Sequence, residues 1–539
     1  MKIYGKIIDV FNRRIFKGYI SVKGKRIENI AEEDNPEENY ILPGLIDSHI
    51  HIESSMLVPS RFAEKAVRHG TVAVVSDPHE IANVMGLEGL EFMIENSKTV
   101  PMKFYFGAPS CVPATSFERS GGKIGIKETE LLLARNEIKY LAEMMNFPGV
   151  INKDREVMEK LESARKAGKP IDGHAPGLGG EDLDKYIGAG ISTDHECISL
   201  NEAREKIDKG MKIQIREGSA ASGLEKFHQL LADNTEMLML CSDDLHPEML
   251  EKGHINLLVK RLLAMGYDLF DILNIAITNP VKHYKLDAGL LRKGDNADFI
   301  IIDGPEEFNI LETWIDGKRV FNGRNISFKT IAVKPLNNFH SGLISTDDIR
   351  VENAQARIRV IDAVDGEIVT GCYEWSPGES GKYIEADTEE DILKIIVKDR
   401  YNDAPPAVAY VRGFGLKEGA FASSVAHDSH NIIAVGVDDE SICRAVNKIV
   451  EMKGGLAACR GDNCSQLQLE IAGIMSDVPC GTMASQYKQI SDYVCDMACK
   501  LKSPFMTLSF MALLVIPELK LSDRGLFDGN KFEFVNLYL

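Results

Sequence analysis

Long apolar stretches are missing from this 539-residue sequence. It has no run of about eighteen apolar residues, so we expect no membrane-spanning helix. Its first residues lack the apolar core and the small-residue cleavage site of a signal peptide. The sequence also lacks an excess of positive charge, and its formal net charge of −19 argues against nucleic acid or an anionic membrane as the main partner. With 44% hydrophobic and 27% charged residues, the composition is that of a soluble globular protein.

Closely paired cysteines are missing as well, since none of the ten cysteines forms a C-x-x-C pair. Cys495-x-x-x-Cys499 and Cys459-x-x-x-x-Cys464 do not match the spacing of a structural zinc site. Without a signal peptide, these cysteines predict a reducing compartment and free thiols, either buried or on the surface.

The length of the chain predicts two to four domains. Short alternating strands occupy the first forty or so residues, and the same texture returns in segments 297–303 and 313–320. Because these two β-rich segments flank a long middle region, we expect one small composite β-subdomain from residues 1–43 and 291–335.

The middle region, residues 44–290, alternates between predicted strands and segments with helical periodicity, such as Lys153–Lys169 and Pro247–Met265. Eight such units in about 250 residues match the size of a (β/α)₈ TIM barrel. A doubly wound sheet would alternate similarly, but its glycine-rich phosphate turn is missing after the first strand. The predicted strands are 44–52, 71–77, 102–107, 138–145, 170–174, 189–195, 211–216 and 237–243.

The pattern of predicted strands and helices changes again beyond about residue 335. Strands are predicted at Ala407–Arg412 and Ile432–Val437, and helices at Ser441–Lys453 and Gln486–Lys500. We therefore expect residues 336–539 to form an additional α+β domain. The fold class as a whole is α/β.

A histidine pair is the sharpest chemical signal in the sequence. His49 and His51 end the first predicted barrel strand, directly after a Pro43-Gly44 turn. Alternate residues of a strand share a face, so both imidazoles can bind one metal ion. Active sites of TIM barrels lie at the carboxyl ends of the strands, which is where this pair falls.

Three further residues end later strands of the same predicted barrel. His174 ends the fifth strand, His195 the sixth and Asp243 the eighth. Each alone has an ordinary structural explanation, but together they predict a metal centre. His69 and His228 lie in helical segments instead, and we expect structural roles for them.

This constellation resembles the amidohydrolase superfamily, whose barrel carries H-x-H on strand one, histidines on strands five and six, and aspartate on strand eight. Many two-metal members bridge their metals with a carboxylated lysine on strand four. Here Lys139 lies at the wrong end of that strand, whereas Glu143 lies near the catalytic end. We therefore expect Glu143 to be the bridging ligand, with His49, His51, His174, His195 and Asp243 as the other ligands.

A glutamate bridge and an extra C-terminal domain are also features of bacterial and archaeal adenine deaminases, which this sequence therefore resembles. The similarity extends to the segments Ser76–Glu80, Arg216–Ser219, Ser242–Asp244 and His427–Asn431. It implies conversion of adenine and water into hypoxanthine and ammonia, with a metal-bridging hydroxide attacking C6. It also implies two divalent metal ions (manganese or iron, with zinc possible), purine salvage in the cytoplasm, and a homo-oligomer.

Several residues have expected roles in this reaction. Asp243 would ligate a metal and move a proton from the attacking oxygen to the departing ammonia. Glu196 or Glu217 could protonate ring N1, although either could be an ordinary carboxylate. Arg216, Glu217 and Ser219 follow strand seven and should line the base pocket, unless the Arg216–Glu217 pair only supports the barrel rim.

Two further groups of residues have open roles. His79 and Glu80 could hydrogen-bond the purine, bind an extra metal or cap the next helix. His427, Asp428 and His430 could form a lid over the barrel or hold a further metal, and the alternative is a polar turn.

Three competing functions are also open. A cyclic-amide hydrolase would need a lysine where Glu143 stands, and a different aminopurine deaminase would share most of these residues. A non-catalytic scaffold would have lost ligands, yet the full predicted set is present.

Overall fold

A closed barrel of eight parallel strands forms the centre of the protein. The computed structural model describes residues 1–219, 222–378 and 381–539. Strands one to five form one hydrogen-bonded sheet and strands six to eight form another. The barrel strands are Leu45–Ile50, Thr71–Ser76, Lys103–Ala108, Ile138–Met144, Ile171–Gly173, Thr193–Asp194, Lys212–Arg216 and Leu238–Cys241.

Backbone hydrogen bonds close the two sheets into one barrel. The amide of Asp243 donates to the His49 carbonyl over 3.0 Å, and the amide of His51 donates to the Asp243 carbonyl over 3.2 Å. On the other side, the Ser192 amide donates to the Ile171 carbonyl over 3.0 Å. The predicted (β/α)₈ TIM barrel is therefore confirmed.

Helices surround the barrel, and side-chain caps and glycine residues help to set where they begin and end. The helix predicted over Lys153–Lys169 spans Arg155–Lys166, and the Asp154 side chain caps it by accepting from the Val157 amide. The segment 247–265 forms two helices rather than one, because Gly253 between them is extended. The helices of the barrel region are Pro59–Ala66, His79–Met85, Leu87–Ser97, Ile126–Leu133, Phe147–Ile151, Arg155–Lys166, Gly180–Gly188, Leu200–Asp208, Leu224–Phe227, Leu231–Asn234, Pro247–Lys252, Ile255–Ala264, Leu269–Leu273 and Asn279–Tyr284.

A second sheet of seven strands draws on both flanks of the barrel sequence. Tyr40–Pro43 pairs with Lys2–Asp9 on one side and with Phe299–Ile302 on the other, which joins the two halves. Phe299 and Trp314 stack in its core with ring centroids 5.3 Å apart. The strand order is Lys318–Phe321, Ile310–Ile315, Phe299–Ile302, Tyr40–Pro43, Lys2–Asp9, Arg14–Lys23 and Arg26–Glu32.

The C-terminal region is built on a mixed eight-stranded sheet. Asp439–Met452 packs on it, and Cys480–Cys495 and Pro504–Phe510 are further helices of the region. A three-stranded sheet of Leu519–Ser522, Gly525–Asp528 and Glu533–Phe534 follows. The strand order of the large sheet is Gly371–Trp375, Ile358–Asp362, Ala407–Arg412, Leu393–Lys398, Ile432–Gly436, Ala420–Ser423, Gly455–Arg460 and Asn463–Gln468.

One expectation about the cysteines is wrong. Cys459 and Cys464 form a disulfide, because they lie opposite each other on the two strands of a hairpin. Residue spacing alone does not reveal that register. The other eight cysteines are free, and Cys495 and Cys499 are among them. Across the described residues, no helix has both the length and the apolar character needed to cross a bilayer.

Candidate metal centre at the mouth of the barrel

The two histidines of the first strand face each other in the barrel mouth. Their Nε2 atoms are 3.2 Å apart, and both side chains are buried. Nδ1 of His51 lies 3.0 Å from the carbonyl oxygen of Asp77, which accepts the imidazole proton. His51 therefore directs the lone pair of Nε2 towards the centre of the site, as metal-binding histidines do. Gly44 allows this strand to start close to the next, since a Cβ there would collide with Val72.

Glu143 lies between two groups of imidazoles. Its Oε1 is 3.3 Å from Nε2 of His51. Its Oε2 is 2.9 Å from Nδ1 of His174 and 3.1 Å from Nε2 of His195. A carboxylate whose two oxygens face separate groups of ligands has the arrangement needed to bridge two cations.

Asp243 faces the histidine pair from the eighth strand. Its Oδ1 lies 3.2 Å from Nε2 of His51 and 3.7 Å from Nε2 of His49. The residue has a φ of 55°, a left-handed conformation that aspartate tolerates better than most residues. Its backbone amide and carbonyl both bind the first strand, and these bonds hold the side chain beside the histidines.

The donor set fits divalent cations on both sides of Glu143. Several buried imidazole nitrogens have no hydrogen-bond partner, namely Nδ1 of His49, Nε2 of His174 and both ring nitrogens of His195. Burial, together with His195 and His51, holds the pKa of His49 well below its usual value, so its imidazole is neutral and able to bind a metal. Burial alone would raise the pKa of the Glu143 carboxyl, but His195 and His174 hold it well below its usual value.

A single arginine joins two carboxylates at the edge of this cluster. Nη1 of Arg216 donates to Oδ2 of Asp243 over 2.6 Å, and Nη2 donates to Oε1 of Glu196 over 2.7 Å. Burial opposes ionisation of Asp243, but Arg216 and His51 hold the pKa of its carboxyl well below the usual range. Burial raises the pKa of Glu196, although Arg216 opposes the rise. The two carboxyl groups therefore differ in pKa although both bind the guanidinium of Arg216.

The structure does not bring Glu217 or Ser219 into the cluster, which corrects the expectation for both. Glu217 forms an ion pair with Arg261 and accepts from the Leu224 amide over 3.1 Å. Neighbouring residues of a strand point to opposite faces, so Arg216 faces inwards and Glu217 outwards. The hydroxyl of Ser219 accepts from the His246 amide over 2.8 Å, away from the cavity.

His79 and Glu80 meet the C-terminal region beside the candidate metal ligands. They begin the helix His79–Met85, after the second barrel strand. Glu80 forms ion pairs with His427 and His430, and Nε2 of His79 lies 3.7 Å from Oδ1 of Asp428. The predicted loop at 427–431 therefore reaches the mouth of the barrel.

Several residues of this cavity were not predicted from the sequence. Ile368, Phe510 and Leu513 come from the C-terminal region and line the same cavity as Glu143 and Asp243. Apolar residues in these segments look like ordinary core positions, so no sequence signal identifies them. Met145, the last residue of the fourth predicted strand, and Asp244, in the segment Ser242–Asp244, also line the cavity. His69 and His228 bond the Leu250 carbonyl and the Tyr267 hydroxyl, which agrees with structural roles.

Known proteins share both the barrel and the C-terminal region. Residues 40–320 match the amidohydrolase family, and residues 367–533 match the adenine deaminase C-terminal domain. The chain is 52% identical to the adenine deaminase of Methanosarcina mazei, 48% to that of Salinibacter ruber and 46% to that of Borreliella burgdorferi. Each alignment covers at least 99% of this chain and 99% of the relative.

A barrel of this type, with candidate ligands converging from five of its strands, defines a metal-dependent amidohydrolase, a hydrolase that acts on C–N bonds. Sequence identity near 50% over the full length identifies the family within this class. The chain belongs to the adenine deaminase family of amidohydrolases.

Proposed function

We propose that this protein hydrolyses adenine to hypoxanthine and ammonia. The observation that carries the proposal is the placement of Glu196 and Asp243 on one arginine, directly beside the buried cluster around Glu143. The reaction breaks the bond from C6 to the amino nitrogen and forms a bond from C6 to a water oxygen. It therefore needs one group that removes protons from water and another that donates a proton to the ring.

The ligand set supports two divalent cations, manganese or iron, with zinc as a further option. His49, His51 and Asp243 would hold one cation, His174 and His195 the other, and Glu143 both. When bound, two such cations lower the pKa of water from roughly 16 towards 7 and so supply hydroxide at neutral pH.

Asp243 has the position and charge of a proton carrier. Arg216 and His51 favour its ionised form, so it can accept a proton from the attacking oxygen. Once the C6–O bond has formed, the same carboxyl can return that proton to the amino nitrogen, which leaves as ammonia. Because Arg216 binds Oδ2, the other oxygen of Asp243 stays directed at His49 and His51.

Glu196 is suited to donate the ring proton. Burial raises the pKa of its carboxyl although Arg216 opposes the rise, and a raised pKa favours the protonated form that can donate. A proton placed on N1 withdraws electrons from C6 and makes that carbon more electrophilic. Arg216 holds the two carboxyls close together, which suits proton transfers at N1 and at the amino nitrogen, since both atoms are bonded to C6. We further infer a cytoplasmic homo-oligomer, as the family resemblance implies.

The test is ammonia release from adenine by manganese-reconstituted protein of known metal content. Adenosine, dihydroorotate and hydantoin serve as matched alternatives under the same conditions. Fast release from adenine alone supports the proposal. Release only from a cyclic amide, or no release at full metal loading, would refute the substrate and leave the barrel assignment intact.

A further inference from the structure

A second cluster of potential ligands lies between the barrel and the C-terminal region. Glu80 begins a helix after the second barrel strand, whereas His427 and His430 lie in the loop between strands Ala420–Ser423 and Ile432–Gly436. Oε1 of Glu80 is 2.5 Å from Nδ1 of His427, and Oε2 contacts Nε2 of His430. One carboxylate therefore joins two imidazoles that come from a distant part of the sequence.

Two more donors face the same point. Nε2 of His79 lies 3.3 Å from Oε1 of Glu80 and 3.7 Å from Oδ1 of Asp428. Donors bound to one tetrahedral ion at about 2.1 Å lie about 3.4 Å from one another. These two separations match the spacing of ligands around a single cation, whereas the contacts of Glu80 with His427 and His430 are shorter and would lengthen around a cation.

Burial makes the ionised carboxylates of this cluster energetically unfavourable unless a nearby positive charge compensates. His79, Glu80, His427, Asp428 and His430 are each at most 3% exposed. Both carboxylate oxygens of Glu80, Nε2 of His430 and Oδ2 of Asp428 are buried and have no hydrogen-bond partner of suitable geometry. Buried carboxylates are normally paired with cations or bind metals, because removing an ionised carboxylate from water is strongly unfavourable.

We propose that Glu80, His427 and His430 bind a further divalent cation, with His79 and Asp428 able to complete its coordination. Mixed imidazole and carboxylate ligands suit manganese, iron or zinc. The site is separate from the cluster around Glu143, since Nδ1 of His79 faces Asp77 and Glu143 while Nε2 faces Glu80. It goes beyond the proposed deamination, because it links the loop 427–431 to the barrel without taking part in proton transfer.

The first test counts bound metal in variants of the cluster. Apoprotein is reconstituted with Mn²⁺, freed of unbound metal by gel filtration and analysed by mass spectrometry. Glu80→Gln and His430→Gln should each bind one manganese ion fewer per chain than the unaltered protein. His246→Gln is the matched control, because His246 is equally buried at the barrel mouth and makes no contact with Glu80. Equal counts in all four proteins would overturn the proposal, since protons on the imidazoles would then neutralise Glu80.

The second test needs no variant and so does not depend on folding of altered protein. Crystals of the manganese-loaded holoenzyme should give an anomalous scattering peak between Glu80, His427 and His430. Peaks only around Glu143 would overturn the further site and leave the proposed function untouched. Conversely, metal at both places without ammonia release from adenine would refute the proposed function and leave this inference standing.

Discussion

Oε1 of Glu143 lies 3.3 Å from Nε2 of His51, on the side of the carboxylate that faces away from His174 and His195. This relationship divides the candidate ligands into two groups with one shared residue. An amide could not do the same, because only one of its two terminal atoms has a lone pair for a metal.

Glu143→Gln should therefore weaken metal binding. We expect the affinity for manganese to fall by more than about 100-fold, because one bridging oxygen becomes an NH₂ group. The measurement is metal content after dialysis against a weak chelator. Glu248→Gln is the control, since Glu248 is a largely buried glutamate outside the cluster. Equal metal retention by Glu143→Gln and Glu248→Gln would contradict a bridging role.

Asp243→Asn should abolish turnover while much of the metal remains. The amide cannot accept a proton, so kcat should fall by about 1,000-fold or more, whereas one oxygen atom stays available as a ligand. Activity and metal content are measured on the same sample. Near-normal kcat at full metal content would refute the proton-carrying role of Asp243.

Glu196 and Glu217 form a matched pair for the ring proton. Glu196→Gln should lower kcat by about 100- to 10,000-fold, the range for loss of a general acid. Glu217→Gln should keep nearly normal kcat, because Glu217 contacts Arg261 rather than the cluster. Steady-state kinetics on both variants measure these losses, and a larger fall in kcat for Glu217→Gln than for Glu196→Gln would show that Glu217 is the acid.

Phe510 should contribute to substrate binding from the C-terminal region. Its ring lies 5.5 Å from that of His427, and its side chain lines the cavity. Phe510→Ala removes apolar surface against which a purine could pack, so KM for adenine should rise by about tenfold. Leu343→Ala, at an exposed position of the same region, is the control. An unchanged KM would exclude Phe510 from the binding surface.

Lys520 should make stability depend on pH. Burial lowers the pKa of its amine from 10.5 to about 7, and the amine donates to the carbonyls of Ile368 and Phe510. Above pH 7 the unfolded chain keeps a proton that the folded chain releases, so the free energy of unfolding should rise with pH. The gain is on the order of a few kcal/mol by about pH 10.

Lys520→Met should lack that rise, which urea unfolding at several pH values between about 7 and 9 can measure. Lys488→Met is the control, because Lys488 is 68% exposed. A rise of equal size in Lys520→Met and Lys488→Met would contradict the role of Lys520.

The alternation of side chains along strands made most residues of the buried cluster around Glu143 predictable. His49 and His51 share a face because strand side chains repeat every two residues, and Glu143 could be chosen over Lys139 by its place in the strand. The same rule separates Arg216 from Glu217, since neighbours on a strand cannot both face inwards. The orientation of Glu217 could therefore have been predicted from the sequence.

By itself, the sequence determined the barrel, the strand ends that carry ligands and the resemblance to amidohydrolases. These features depend on local periodicity, and parallel strands of a barrel necessarily bring their carboxyl ends together. Only the tertiary structure decided that Arg216 joins Glu196 to Asp243, that Phe510 lines the cavity, and that Glu80 meets His427 and His430. Such contacts join residues far apart in the chain, and long-range packing rather than local periodicity sets which side chains meet.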